Sequence, residues 1–199
     1  NGRYVSKLRL EKMLDHEYQL LDQRLNRDNY KDTRFFIFAD TVSTINYSKT
    51  LKGHGWIGLR FQRTPDEKPS DFILHVKLND QDAKLQQETV GIIGTNLLHA
   101  CFTQNDPKII LKSLYDNLSK DQFEINMVEV VGPAFENIDN RLLSLTLVKE
   151  RMTNAVIFTP DGVSQQPSDI LYKKNILTLR GSFRPVTKVN IDMLEKGLA

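Results

Sequence analysis

A short segment near the end of the chain, Arg180-Gly-Ser-Phe-Arg-Pro, carries residue types that bind anions. The guanidinium groups of Arg180 and Arg184 bracket a glycine and the hydroxyl of Ser182, and guanidinium groups bind phosphate and carboxylate oxygens through paired hydrogen bonds. The glycine lets backbone N–H groups approach an anion closely. The segment therefore predicts a phosphate or carboxylate site at Arg180, Ser182 and Arg184. The alternative is an ordinary turn whose arginines pair with acidic side chains.

Polar side chains also follow two apolar runs that have the character of strands. Asp40 and Thr41 follow Arg34–Ala39, and Asp161 lies in a Pro-Asp-Gly sequence after Ala155–Phe158. The Asp40 carboxylate could bind a metal, a ribose or a substrate hydroxyl, or it could cap the turn that follows it. Thr41 and Asp161 are candidate ligand-binding residues, with turn formation as the alternative for Asp161.

Two histidines have neighbours that would suit chemistry. His54 lies between two glycines in Gly53-His-Gly-Trp-Ile-Gly, but a strand pattern follows, so a nucleotide-binding loop is excluded and a plain turn is the alternative to a catalytic role. His75 is expected on the same side as Lys77 and near Arg60, and these cations would disfavour its protonation, as suits a general base or an exposed polar face. The candidate catalytic residues are Asp40, His54 and His75. No pair of histidines or acids has zinc-ligand spacing, so no metal site is predicted.

The apolar patterns that must position these residues predict an α/β fold. Gly55–Gln62 and Phe72–Leu78 alternate around a polar loop, which predicts a β-hairpin with Trp56 and Ile73 on its less protected face. Helical spacing over Ser6–Arg27 predicts one helix, or two short ones broken near Asp15–His16. Further helices are predicted over Asp82–Phe102, from Asp106-Pro107 onward, from Asp139 to Met152, and near Ser168–Lys173. Further strands are predicted at Arg34–Ala39, Phe123–Val131, Ala155–Phe158, Ile176–Leu179 and Lys188–Ile191.

The order of elements in the second half predicts parallel βαβ units with right-handed crossovers. Together with the hairpin, they would form a mixed sheet with helices on both faces. In such sheets ligands bind beyond the carboxyl ends of the strands, which would bring the loops that carry Asp40, Gly132, Asp161 and Arg180 to one rim. The predicted domains are an N-terminal helical segment at 1–33 and an α/β domain at 34–199 that is truncated at its C-terminus.

Composition narrows the possible partners and compartments. The 199 residues carry a net charge of +2, with 27 basic and 25 acidic side chains mixed along the chain, so no basic face for a nucleic acid is predicted. No apolar run reaches the length of a membrane span. The single cysteine, Cys101, precludes an intramolecular disulfide and fits a reducing compartment, which predicts a cytoplasmic protein.

Longer segments resemble one bacterial family, associated with cyanobacteria and related bacteria. These are Phe38-Ala-Asp-Thr-Val-Ser, Gly53-His-Gly-Trp-Ile-Gly-Leu-Arg-Phe-Gln, Leu85-Gln-Gln-Glu-Thr-Val-Gly-Ile-Ile-Gly-Thr-Asn-Leu, Asp139-Asn-Arg-Leu-Leu-Ser-Leu, Gln166-Pro-Ser-Asp-Ile-Leu-Tyr-Lys-Lys and Arg180-Gly-Ser-Phe-Arg-Pro-Val-Thr. The resemblance covers nearly the whole chain. It implies a cytosolic protein longer than this chain, whose C-terminal part would be a natural partner of this one. It implies no reaction, cofactor or oligomeric state.

Members of that family carry names such as nicotinate-nucleotide adenylyltransferase or TonB-dependent receptor, and the residues support neither. The first predicted strand leads to Asp40-Thr-Val-Ser, where such a transferase would carry a paired-histidine phosphate motif. A pattern this rich in helices cannot build an outer-membrane barrel. Two hypotheses follow from the sequence. The first is a domain, in an enzyme or by itself, that binds a small molecule with a phosphate or carboxylate group, and the alternative is a non-catalytic scaffold or protein-interaction domain.

Overall fold

The fold is described from a computed structural model, which covers residues 5–25 and 32–198. The chain separates into two compact units, Asn1–Gln166 and Pro167–Ala199, whereas the domain boundary predicted from the sequence follows residue 33. The predicted first helix is observed as α1 (Lys7–Arg24), and positions 26 and 27 of that prediction lie outside the described residues.

The first unit is built on a four-stranded sheet in which every neighbouring pair is antiparallel. Its strands follow chain order, β1 (Phe36–Ser43), β2 (Gly53–Phe61), β3 (Ser70–Leu78) and β4 (Phe123–Val131). The predicted hairpin is confirmed as β2–β3. The α/β class is therefore correct, but the prediction of parallel βαβ units is wrong.

The number of helices between the last two strands explains the direction of β4. One crossover helix returns the chain to the end where the previous strand began, so the next strand runs parallel to it. Here two helices, α2 (Ala83–Thr103) and α3 (Pro107–Ser113), separate β3 from β4. The second helix reverses the chain once more, and β4 enters the sheet antiparallel to β3.

The remaining predicted strands do not join this sheet. β5 (Ile157–Phe158) pairs with β6 (Ser164–Gln165) in a separate two-stranded ribbon. In the second unit, residues 176–179 form no strand, and the segment predicted as a last strand begins helix α6 (Lys188–Leu198). Short apolar runs specify neither strand nor helix by themselves, because burial on a sheet and burial on a helix select the same residue types.

Helices cover both faces of the sheet. On one face, Leu10 and Leu14 of α1 pack on β-strand side chains; this is called the α1 face, and its buried strand residues are Ile37, Ala39, Trp56, Ile73 and Met127. On the opposite face, called the α2 face, α2, α3 and α4 (Asn140–Lys149) enclose the larger core, with buried side chains that include Phe61, Phe72, Ile93, Leu111 and Leu147. Trp56 and Ile73 are 5% and 2% exposed, so they form no open docking face on the hairpin.

Three helices of this unit begin at aspartates that satisfy their first backbone N–H groups. Asp82, Asp106 and Asp139 accept hydrogen bonds from the N–H groups of Lys84, Lys108 and Arg141. These starts were predicted from the sequence and are confirmed, because an aspartate before an apolar helical pattern is a local signal that needs no tertiary contact.

The second unit contains α5 (Pro167–Leu171) and α6 (Lys188–Leu198), joined by a segment without regular secondary structure. No residue of either helix is buried. The Arg180–Pro185 segment lies in this irregular part, where its side chains are exposed.

Candidate functional site

The sheet brings the two predicted histidines together on the α1 face. Antiparallel pairing of β2 with β3 places Trp56 opposite His75 and His54 opposite Lys77. The Nδ1 atom of His54 lies 3.4 Å from Nε2 of His75, and the Trp56 ring meets the His75 ring edge-on with 4.9 Å between their centroids. His54 is exposed and His75 is 2% exposed, so the pair runs from the surface into the sheet.

An irregularity in β4 supplies the partner of His75. The β3–β4 register shifts between His75 and Val76, so that His75 lies opposite Met127 while Val76 lies opposite Ile125. Asn126 is the extra residue of this bulge, and bulges of this kind redirect a side chain. Its Oδ1 atom lies 2.6 Å from Nδ1 of His75.

These contacts define the tautomer of His75. Its Nδ1–H donates to the Asn126 carbonyl oxygen, which leaves Nε2 as an acceptor. The amide nitrogen of Gln166 lies 3.5 Å from that Nε2 atom, consistent with a donor directed at it. His54, His75, Asn126 and Gln166 are called the histidine cluster below.

His75 is neutral at pH 7. Burial lowers its pKa from 6.5 to about 4, because a desolvated imidazolium is unfavourable. The hydrogen bond to Asn126 acts in the opposite direction, and the charges of His54 and Lys77 lower the pKa further. The predicted effect of Lys77 is thus present. Arg60 is engaged elsewhere, through hydrogen bonds of 2.8 Å from Nε and from Nη2 to Asp71 and one of 2.9 Å from Nη1 to Asp15.

One polar atom of the cluster has no partner within the part of the chain that the structure describes. Asn126 is 1% exposed, and its Nδ2 atom makes no hydrogen bond to any described residue. A buried donor without an acceptor costs roughly 1–3 kcal/mol. Nearby, Lys77 Nζ lies 3.3 Å from Oε1 of Glu124, and the Thr153 hydroxyl donates to the same Glu124 oxygen at 2.5 Å.

Asp40 and Thr41 lie inside β1, whereas the sequence analysis placed them in a loop after it. Asp40 Oδ1 accepts a hydrogen bond from the backbone N–H of Val42 at 3.3 Å. Of the two roles considered for this carboxylate, ligand binding and bonding its own backbone, this contact corresponds to the second. Thr41 is buried, and its hydroxyl is 3.5 Å from the carbonyl oxygen of Ser6. Both residues line a shallow cleft of about 320 Å³ together with Arg9 and Ser43.

Asp161 lies in a different cleft, of about 310 Å³, whose walls include Asp139 and Arg141. It is exposed, and a hydrogen bond from Thr159 lowers its pKa. The neighbouring Gly162 has a φ of +86° and donates its N–H to the carbonyl oxygen of Thr159 at 2.8 Å. This geometry is the turn that the Pro-Asp-Gly sequence predicts.

The predicted rim of convergent loops does not exist, because its geometric premise was a parallel sheet. In an antiparallel sheet, successive strands run in opposite directions, so their carboxyl ends lie alternately at the two ends of the sheet. The carboxyl ends of β1 and β4 therefore lie at opposite ends of this sheet. Arg180, Ser182 and Arg184 belong to the second unit, and residues 176–179 before them form no strand. Their role in binding an anion stays a prediction.

Asn126 and Gln166 were not predicted as site residues from the sequence. A signal for Asn126 was available, because it is an uncharged polar residue inside the apolar strand Phe123–Val131, and polar groups buried in strands need a partner. No sequence signal places Gln166 beside His75, since 91 residues separate the two.

The fold and the site define an α/β domain with an antiparallel four-stranded sheet and a buried histidine–asparagine pair on one face. Comparison of the chain with protein-family models, with curated proteins and with solved structures finds no match in any of the three. Among the described residues, no group of three or more histidine, cysteine, aspartate or glutamate side chains is arranged to hold a metal ion. No helix in residues 5–25 and 32–198 is long and apolar enough to cross a bilayer.

Proposed function

We propose that the first unit binds a small molecule with a carboxylate or phosphate group, and that it does so at the histidine cluster. The observation that carries this proposal is the buried Nδ2 donor of Asn126, which lacks an acceptor among the described residues. Carboxylate and phosphate oxygens are strong acceptors, and a hydrogen bond to a charged oxygen is worth roughly twice one between neutral groups. Such an oxygen would remove the cost of the unpaired donor.

The charged groups nearest His75 include Lys77 and Glu124, which pair with each other, so Glu124 is not an uncompensated carboxylate that would repel an anion. Neutral His75 contributes no charge at pH 7, while Lys77 holds an ammonium group beside it. The carboxylate of Glu124 is already shared by Lys77 and Thr153. A bound anion would raise the pKa of His75, because a nearby negative charge favours the protonated ring. The imidazole signals of His75 therefore report on occupancy directly.

Asn126→Asp is expected to weaken anion binding at least roughly tenfold, since it removes the donor and adds a repelling charge. It keeps an oxygen for Nδ1–H of His75, so the cluster retains its internal hydrogen bond. The measurement is a titration of the chain with inorganic phosphate, acetate, citrate and adenosine monophosphate, followed by the NMR signals of the histidine rings. Asn137→Asp is the matched control, because it makes the same charge change at an exposed position.

The proposal is contradicted if none of these compounds moves the His75 signals in the unmodified chain, or if Asn126→Asp binds them as well as the control does. A double charge reversal, Arg180→Glu with Arg184→Glu, tests the remaining prediction for the second unit. Loss of binding in that variant, with full binding in Asn126→Asp, would assign the anion to the arginine segment and remove it from the histidine cluster.

A further inference from the structure

The two edges of the sheet differ in how their backbone groups are satisfied. At the β4 edge, the side-chain amide of Asn140 bonds both the N–H and the C=O of Val130 at 2.9 Å, and the carbonyl oxygen of Met152 accepts the N–H of Ile125 at 3.2 Å. At the other edge, β1 pairs with β2, and no second strand partner is found for it among the described residues. One edge is therefore covered by its own chain, whereas the other carries no further strand from residues 5–25 and 32–198.

The hydrogen-bond pattern identifies the open backbone groups. The N–H of Gln62 donates to the carbonyl oxygen of Phe35, its partner in the register, so Phe35 points toward β2. The N–H and C=O groups of successive residues in a strand point alternately to its two sides. Those of Phe36, and of every second residue after it, therefore point away from β2. The outward residues are Phe36, Phe38, Asp40 and Val42. Of these, Val42 donates to its neighbour Asp40 through a long, exposed hydrogen bond of 3.3 Å.

A recess lies on each side of this strand. On the α2 face lies a cleft of about 390 Å³, and its lining residues are Phe38, Asp40, Val42, Thr44, Gln87, Val90 and Gly91. On the α1 face, the cleft that holds Thr41 and Ser43 is walled by α1. An extended peptide directs its side chains alternately to the two faces of the sheet, so both recesses are where the side chains of an added strand would lie.

Gly91 is the second observation at this edge. Glycine inside a helix lowers stability relative to alanine, so it needs a compensating contact. Gly94, one turn along α2, has one, because a Cβ there would lie 2.7 Å from Cζ of Phe38. A Cβ at Gly91 would have no atom within 4 Å. The close approach of Phe38 accounts for a glycine at position 94. Gly91 has no such neighbour, and it lines the cleft beside β1.

We infer that the open edge of β1 binds an extended segment of another protein as a fifth strand. Its backbone would pair with the outward groups of Phe38, Asp40 and Val42. One of its apolar side chains would fill the space above Gly91, and a lysine or arginine would face the Asp40 carboxylate. Charge argues against a second copy of this chain, because β1 contains no lysine or arginine and the β1 strand of a second copy could not supply the basic side chain that faces Asp40. This inference is independent of the anion proposed for the histidine cluster.

The test uses a displayed library of random twelve-residue peptides, selected on the 199-residue chain. We expect enriched peptides to alternate apolar residues and to carry lysine or arginine. The outward amides of Phe38 and Asp40 should become protected from hydrogen exchange when the best peptide binds. Gly91→Leu should weaken that peptide at least tenfold while folding normally, because its Cβ would have no atom of the chain within 4 Å and the rest of the side chain would enter the recess.

His99→Leu is the matched control, since it adds the same side chain at an exposed position of the same helix, away from the cleft. Asp40→Lys should reverse the charge preference of newly selected peptides. The inference is overturned if no peptide is enriched, or if Gly91→Leu and His99→Leu bind the selected peptide equally. It is also overturned if light scattering shows a dimer of the unmodified chain that Gly91→Leu abolishes, because the occupant would then be a second copy.

Discussion

Lowering the pH from 7 to 4 is expected to reduce the free energy of unfolding by about 3 kcal/mol through His75 by itself. Folding lowers the pKa of this histidine from 6.5 to about 4, mainly through burial. Between these two values the unfolded chain binds a proton that the folded chain does not. Protonation therefore favours the unfolded state, and the stability present above pH 6.5 is lost as the pH falls toward 4.

Urea unfolding at several pH values between 4 and 7 measures this effect. Carboxylates also make stability depend on pH, so the unmodified chain is compared with His75→Gln. Most of the roughly 3 kcal/mol of unfolding free energy that His75 loses between pH 7 and pH 4 should be absent in this variant. His99→Gln is the control, because it removes an exposed imidazole from α2. If His75→Gln loses stability with falling pH as steeply as the unmodified chain does, His75 is not a buried neutral imidazole.

Gly55→Ala is expected to destabilise the first unit by about 3 kcal/mol, at the upper end of what overpacking costs. A Cβ at this position would lie 2.4 Å from Cα of Val42 and 2.5 Å from the carbonyl oxygen of Thr41. Both are backbone atoms of the paired strand β1, so no side chain can rotate away to make room. The strands would have to separate, with loss of hydrogen bonds between β1 and β2.

Gly91→Ala is expected to stabilise the first unit, in contrast with Gly55→Ala. It introduces the same methyl group where no atom lies within 4 Å, in a helix where alanine is favoured over glycine by up to about 1 kcal/mol. Urea or thermal unfolding of the two variants should therefore move in opposite directions from the unmodified chain. Equal effects would mean that β1 and β2 are not as closely packed at Gly55 as the structure has them.

The glycines of β2 show why a local pattern can be seen and still be misinterpreted. In the sequence, Gly53 and Gly55 flank His54 and suggest a turn there, whereas Gly58 falls within the predicted strand Gly55–Gln62. In the structure all three lie within one strand, and a Cβ on each would collide with a different element. Gly53 faces the side chain of Gln86 in α2, Gly55 faces the β1 backbone, and Gly58 faces Leu10 and Leu14 of α1. Spacing along the chain cannot distinguish a turn from close packing, because glycine permits both.

The candidate site was only partly accessible to sequence reasoning for a related reason. His54 and His75 were identified as candidates, and the hairpin that joins them was predicted correctly. Asn126, which orients His75, becomes its partner through a bulge of one residue in β4, and Gln166 comes from far along the chain. Such contacts depend on the register between distant strands, which no short window of sequence contains.

The amino-acid sequence by itself determined the features that arise from local physics. These are the α/β class, the β2–β3 hairpin and the aspartate-capped starts of α2, α3 and α4, each of which follows from residue period or from a side chain bonding its own backbone. Only the tertiary structure decided the direction of β4, the meeting of His75 with Asn126, and which strands lie at the two edges of the sheet. These depend on the number of reversals between strands and on contacts between distant segments, where the energy of packing outweighs local preference.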